Sequence, residues 1–486
     1  MKKNRKINKY FFTFIFFTFL LNQPKAISGP QDLIDIKHIK ALSLKDLRWK
    51  PIGEKRLASG AVFIVGDFSG GQYKCYNAKG EEKEIELRER AGIIIPKDYK
   101  KLNIGIVVAG HLAGVASKPI FQVVATYFKI PILVHGAHSS NWRSLGFRGR
   151  NSMLFSSFNE IKKRNLKKVN DLITGNYPLA LARVQLRAIQ LLRKILEIKG
   201  HRIEKIALIG GSKEGLSTWI ASAVDPSIKV ASPQAYQAED FWETIKFYIS
   251  DWKAKRTFAI NVPNMIEFGR WLKFTPEGKE AAKAIEVSSF IKYLYPEILF
   301  ITGDVGMIGM HDGAYFPIGC ETKFLDGLGD FVWRYERNPG RKRPEKKIAR
   351  FIRYLAIVAK ALIDGKNKFD KEFPKVRNTR IKINSKDHSF CIKAETNSAA
   401  KKVRLWWNHS HNPMWNDPGQ SPWSYVIMKK ESKNTWVSPF IKIPKNEKGA
   451  WYVEAENYMA IFVGPIPIPM PRRDCSPVRF VFRLKN

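Results

Sequence analysis

The sequence predicts an α/β fold, a doubly wound and mostly parallel sheet, followed by a smaller all-β domain. Three observations carry this. Four short apolar runs each close on a glycine: 104–109 before Gly110, 130–135 before Gly136, 206–209 before Gly210 and 298–302 before Gly303. Runs apolar on both faces suit parallel strands covered by helices on both sides. Helical periodicity lies between them, clearest over 179–198, where Leu181, Val184, Leu186, Ile189, Leu192 and Ile195 recur at three-and-four spacing. Beyond about residue 375 the period changes to two, which is the signature of antiparallel strands.

The chain begins with a segment that reads as a secretory signal peptide over 1–28. Lys2, Lys3, Arg5, Lys6 and Lys9 precede an apolar stretch at 10–21, and Ala26-Ile27-Ser28 fits a small-x-small cleavage site. This twelve-residue apolar core is too short to span a bilayer comfortably. An uncleaved anchor is the competing reading. No cysteine follows the cleavage site, so no lipoprotein anchor is expected. The protein is expected to be exported, periplasmic or extracellular, where disulfides are allowed. Its four cysteines, Cys75, Cys320, Cys391 and Cys475, form no C-x-x-C pair, so neither a metal site nor a redox motif is expected. Cys391 and Cys475 both fall in the last region and are candidates to pair there, with three connectivities open.

The formal charge is +39, and about +33 once residues 1–28, with their six Lys/Arg and no acid, are set aside. Such a field favours anionic partners, whether nucleic acid, acidic polysaccharide or an anionic membrane surface. The charges are spread out and no nucleic-acid motif accompanies them, so a lysine-rich solvated surface is the favoured reading and nucleic-acid binding is not expected.

Residues 29–102 carry short apolar or alternating runs at 61–65, 85–87 and 92–96, expected as antiparallel strands joining the sheet. The α/β core is expected over 103–370. Within it, 227–297 is an insertion rich in aromatics (Tyr236, Phe241, Trp242, Phe247, Tyr248, Trp252), read equally as a cap or as a helical insertion with its own core. An amphipathic helix at 351–363 and a polar stretch at 364–375 mark a boundary. A β-sandwich-like domain is expected over 371–486, with strands at 403–407, 436–443, 451–455, 459–463 and 478–484. In its Trp406-Trp407-Asn-His-Ser-His stretch, His409 and His411 are candidate metal ligands and the tryptophans candidate sugar-stacking groups. A loop packed over the sandwich core explains the same residues and is favoured.

The chemistry concentrates at 205–226, K-I-A-L-I-G-G-S-K-E-G-L-S-T-W-I-A-S-A-V-D-P. An apolar run, a turn with Gly210, Gly211 and Ser212, and a helical pattern with Leu216, Trp219, Ile220 and Val224 on one face together make the layout of a nucleophile elbow. Gly210 and Gly211 give room for the turn, and Gly215 lets the helix pack close to the strand. The spacing G-x-S-x-x-G displaces the last glycine by one place from the usual pattern. A Gly-rich turn without chemistry, or an anion site at the helix start, is the plainer alternative.

These residues resemble one family, the PhoPQ-activated pathogenicity-related proteins of the α/β-hydrolase superfamily. Gly210 to Gly215 with Thr218-Trp219 and Ala223-Val224-Asp225-Pro226 is similar to the family's G-A-S-K-R-G-W-T-T-W and A-V-D-P. Tyr177-Pro178-Leu179 to Ala188, Thr275-Pro276-Glu277-Gly278 with Thr302-Gly303-Asp304, and Val403-Arg404-Leu405-Trp406 resemble further stretches, so the likeness spans about 90–486. It implies an α/β-hydrolase sheet and a Ser, Asp, His order, with Ser212 as nucleophile and Asp304 as the acid that orients an imidazole. Asp225 by this reading is a turn residue.

The histidine departs from the family. Where the resemblance calls for it, the chain reads Tyr335-Glu336-Arg337-Asn338-Pro339-Gly340-Arg341, and an arginine cannot act as a base near neutral pH. His311 is the only histidine between Asp304 and Asp387. His111 and His138, each just past a strand end, are the candidate substitutes, although satisfied loop histidines are the commoner state. The backbone amides of Lys213 and the Gly110–His111 loop are the candidate oxyanion donors. The expected function is an exported serine esterase or peptidase-like hydrolase acting through Ser212, without cofactor or metal. Its substrate is unidentified, with an anionic or membrane-associated one suited to the basic surface. The alternative is a catalytically degenerate hydrolase scaffold serving as a secreted binding or effector protein.

Overall fold

The computed structural model describes residues 29–76, 81–99, 102–110, 119–137, 177–211, 213–234, 242, 262–301, 323–325, 345–410, 424–445, 447–463, 466–476 and 479–481. A nine-stranded sheet is formed by β1 (Lys50–Arg56), β2 (Val62–Tyr76), β3 (Glu82–Ile95), β4 (Ile104–Ala109), β5 (Ile132–Ala137), β6 (Lys205–Gly211), β7 (Ile228–Gln234), β8 (Ile298–Ile301) and β9 (Lys323–Leu325). Their order is β1-β2-β3-β5-β4-β6-β7-β8-β9. Pairing is antiparallel from β1 through β3 to β5, and parallel from β5 to β9. After this antiparallel lead-in the chain crosses to β5 on one side of β4 and later to β6 on the other, the strand order of an α/β hydrolase. The switch places the β4–β6 crevice at the carboxyl ends of the strands, where ligands of such sheets bind.

Helices cover both faces: α1 (Ile36–Ala41), α2 (Pro119–Phe128), α3 (Tyr177–Ile198), α4 (Lys213–Ser222), α5 (Val262–Phe274), α6 (Pro276–Ile285), α7 (Val287–Phe290) and α8 (Glu345–Glu372). Strand alternation sorts the apolar residues between two cores. Ile206 and Leu208 of β6 join α3 and α4 in one, while Ala207 and Ile209 join α2 and α8 in the other. Trp219, which α4 buries completely, is among the largest side chains in the first core.

The C-terminal region forms two antiparallel sheets. One contains β10 (Val376–Asn384), β11 (Ser389–Thr396), β14 (Lys429–Lys430), β15 (Thr435–Val437) and β16 (Ile441–Lys442). The other contains β12 (Lys402–Ser410), β13 (Ser424–Ile427), β17 (Lys448–Val463), β18 (Ile466–Cys475) and β19 (Arg479–Val481). Phe390, Ile392, Leu405, Trp436 and Val453 fill the space between them. This region is seated on the α/β unit. Tyr452 belongs to the first α/β core and Met459 to the second. The Asn457 amide donates to the carbonyls of Glu372 (2.8 Å) and Ala399 (2.9 Å), and the Asn397 amide donates to that of Phe373 (2.7 Å).

The structure departs from the sequence reading in several places: the runs at 85–87 and 92–96 are one strand, β3, and the strand expected at 436–443 is two, β15 and β16. The helix expected at 351–363 continues through the polar stretch to Glu372 because Gly365, at φ 69°, takes up a kink that lets a second helical segment follow. Asp364 holds that kink through Lys360 (2.6 Å) and Lys368 (3.1 Å), and Phe369 and Phe373 pack against Phe300. The strands expected at 451–455 and 459–463 are one strand, β17, continuous through Glu456 and Asn457. Cys391 carries a free, buried thiol, so the Cys391–Cys475 pairing is not made; the two cysteines lie on different sheets.

Candidate functional site

The β6–α4 junction is short. β6 ends at Gly211 and α4 begins at Lys213, leaving one residue, Ser212, between them. Gly210 explains how the helix can start so close. A Cβ there would stand 2.3 Å from both the Glu214 carbonyl oxygen and the Thr218 hydroxyl oxygen, contacts no real side chain tolerates. The first turn of α4 is pinned from its other side by Gln185 of α3. Its buried amide donates to the Glu214 carbonyl (2.9 Å) and to Thr218 Oγ1 (3.3 Å), and the Thr218 hydroxyl donates to the same carbonyl (2.7 Å). Gly215 is buried within α4.

Beside β6, β4 ends level with it: Ala109 pairs with Gly210 on one side and with His135 on the other. Gly110 follows, with its N–H donating to the His135 carbonyl (3.0 Å). Gly110, Gly210, Gly211 and the backbone of Lys213 are therefore neighbours at the carboxyl ends of adjacent parallel strands. Ser212, Asp304, His111, His138, His311 and the 335–341 stretch lie outside the described residues. β8, whose run leads to Asp304, is two strands from β6.

A further imidazole lies near these strand ends. His135 is 3 % exposed near the end of β5, with Nδ1 3.5 Å from the buried Glu89 carboxylate of β3 and its ring edge-on to Phe68. Its only signal was a histidine closing an apolar run. β5 is two strands from β6, about 10 Å at the spacing of a sheet, beyond the direct reach of a hydroxyl on residue 212.

Asp225 sits at the opposite, amino end of the strands, between α4 and β7, as a turn residue. Completely buried, it pairs with Lys40 (2.9 Å) and Arg193 (3.6 Å) and accepts the Ser227 N–H (3.0 Å). Burial alone would raise its carboxyl. Arg193, Lys40 and the Ser227 amide outweigh that and hold it below the ordinary aspartate value. A cleft of about 710 Å³ opens at this end, lined by Lys40, Arg193, Lys194, Glu197, Arg202 and Glu204 among others, far from the β4–β6 crevice. Its lysines and arginines each face an acid.

In the C-terminal sheets, Trp406 lies between Tyr425 and Tyr452 and packs against the first α/β core, while Trp407 packs on the sandwich core. His409 meets the Glu447 carboxylate through Nδ1, and among the described residues no cluster of three ligating side chains forms. His411 lies outside them.

The model of the PhoPQ-activated pathogenicity-related protein family matches residues 166–414, just over half of the chain. The chain belongs to that family. The match covers α3, β6, α4, β7 and β8, the elements around the elbow, and runs into the C-terminal sheets. No curated protein matches the chain. Solved structures similar to it include an acetyl xylan esterase from Paenibacillus sp. R4, with 13 % identity, 62 % of this chain and 89 % of that one covered, and a TM-score of 0.34. A glucuronoyl esterase from Solibacter usitatus shares 10 % identity over 52 % of this chain and 67 % of its own, with a TM-score of 0.29. For the Pyrobaculum calidifontis esterase the values are 11 %, 71 %, 96 % and 0.32. These likenesses are slight, and the fold assignment rests on the strand order and the family.

Proposed function

We propose that this member of the family is an exported serine hydrolase that cleaves an ester or amide through an acyl-enzyme on Ser212. The observation that supports it most is the β6–α4 junction, where Gly210, pressed against Glu214 and Thr218, leaves residue 212 alone between strand and helix. A serine in that position presents its hydroxyl above the sheet edge. The amide of Lys213 and one from the Gly110–His111 loop would receive the oxyanion, Asp304 would orient the base, and His111 or His138 would supply it. The N-terminal 28 residues would direct export; among the described residues no helix is long and apolar enough to cross a membrane.

The second reading is a hydrolase scaffold without present chemistry. It is favoured by the 335–341 stretch, which the resemblance matches to the family's histidine segment and which contains no histidine, because a serine without a base is a poor nucleophile. One experiment separates the two. The whole chain is treated with a fluorophosphonate probe beside Ser212→Ala. Labelling that disappears in the variant supports the hydrolase, and His111→Gln and His138→Gln then identify the base. A folded protein that takes no label supports the scaffold.

A further inference from the structure

The outer face of the β10-β11-β15-β14 sheet is cationic. Phe390, Ile392 and Ala394 of β11 point into the sandwich core, so Lys393 and Glu395 point out. Arg380 of β10 pairs in register with Lys393, Lys393 with Val437 of β15, and Val437 with Lys429 of β14. Arg380, Lys393 and Lys429 thus lie on one line across four strands. Lys382, opposite Cys391, and Lys442, opposite Ser389, extend the same face along the strands. All five are exposed. Glu395 stands 3.9 Å from Arg380 and Glu431 2.6 Å from Lys393. Among the described residues Lys382, Lys429 and Lys442 have no acidic partner.

Like charges placed directly opposite one another weaken a sheet. The Arg380–Lys393 pair is offset only by the side chains of Glu395 and Glu431, and with Lys382, Lys429 and Lys442 the face keeps an excess of positive charge that suggests an anionic partner outside the chain. Phe440, 49 % exposed, stands beside the strand that carries Lys442 and offers an apolar group next to the cations. We infer that this face docks the protein on an anionic lipid surface. Headgroup charge would meet the five cations, and Phe440 would enter the interface. The inference is independent of any chemistry at Ser212.

The test is co-sedimentation of the whole chain with phosphatidylcholine vesicles, with and without phosphatidylglycerol. Three proteins are compared: wild type, the triple variant Lys382→Gln, Lys429→Gln, Lys442→Gln, and a control, Lys50→Gln, Lys55→Gln, Arg56→Gln. The control removes equal charge from β1, at the far edge of the large sheet. A basic residue near an anionic surface contributes about a fivefold gain in binding, so the patch variant should lose on the order of 100-fold and the control little. Added salt should release wild type from anionic vesicles. Equal losses in both variants would assign the effect to overall charge and overturn the inference. So would a wild type that does not distinguish the vesicles. Binding of a soluble polyanion through the same face, without vesicle binding, would overturn the lipid assignment and name a different partner class.

Discussion

Asp225→Asn should destabilise the α/β unit while leaving its shape intact. Asparagine keeps the size of the side chain and, through Oδ1, the acceptor for the Ser227 N–H, while the charge is lost and the oxygen facing Arg193 becomes an N–H donor. Asp225 is 1 % exposed, Arg193 16 % and Lys40 38 %. Removing one partner of a buried ion pair typically costs about 3–5 kcal/mol. Lys40 can turn to water and Arg193 cannot do so freely, which places the cost near ~3 kcal/mol. For domains of 150–250 residues that corresponds to a melting temperature lower by roughly 6–12 °C, with the smaller figure expected for a longer unit. The effect has a sign in pH. The folded carboxyl titrates below its unfolded value, so its stabilisation is complete above the unfolded pKa of about 4 and is lost as pH falls through the folded one. Calorimetric melting of wild type and variant at neutral pH and through the acid range measures both. The gap should be full at pH 7 and should narrow progressively below about pH 4. A variant that melts with wild type at pH 7, or a gap that does not change toward acid, would refute the assignment of Asp225 as the clamp between α1, α3 and the α4–β7 turn.

Three further outcomes follow from the same structure. Gly210→Ala forces a methyl against the Glu214 carbonyl and should cost about 1–3 kcal/mol in thermal unfolding; if the proposed chemistry holds, probe labelling of Ser212 should fall by more than stability does. Arg404 donates to both Glu454 and Glu456, and although its burial works the other way, those carboxylates hold its guanidinium above the ordinary arginine value. Arg404→Met removes it from two completely buried carboxylates and should cost about 3–5 kcal/mol, read by urea unfolding. Burial raises the Cys391 thiol, so wild type should show one more Ellman-reactive thiol than Cys391→Ala only after denaturation.

The parallel strands most readable in the sequence were those with no polar residue to interrupt them. β4 and β6 are buried along nearly their whole length, and their runs stood out for that reason. β7 did not, because Lys229, Ser232 and Pro233 break its apolar character, yet it pairs with β6 as far as Gln234. The three-residue β9 is too short to show any period. In α8 the polar stretch concealed a helix because Asp364 and its lysines satisfy one another at the kink, a tertiary arrangement no local pattern records. At the elbow, the glycines marked the turn, and the close approach to Glu214 and Thr218 gives Gly210 its reason. The Gln185 brace could not be read, since a glutamine on an amphipathic helix carries no sign of which carbonyl it will meet. The Glu89–His135 contact joins residues 46 positions apart, and sequence alone gives no register that would bring them together.

The seating of the C-terminal sheets on the large sheet bears on how the chain is made. Tyr452 and Met459 complete the two α/β cores, and both come later in the chain than every other residue of those cores. The α/β half of the molecule does not complete its own interior until these strands have arrived. An unfinished chain would present those two vacant apolar seats to whatever holds it, and a chain that stopped after α8 would keep them open. The C-terminal strands are therefore part of what makes the α/β half a finished protein, and not an appendage that could be exchanged for another.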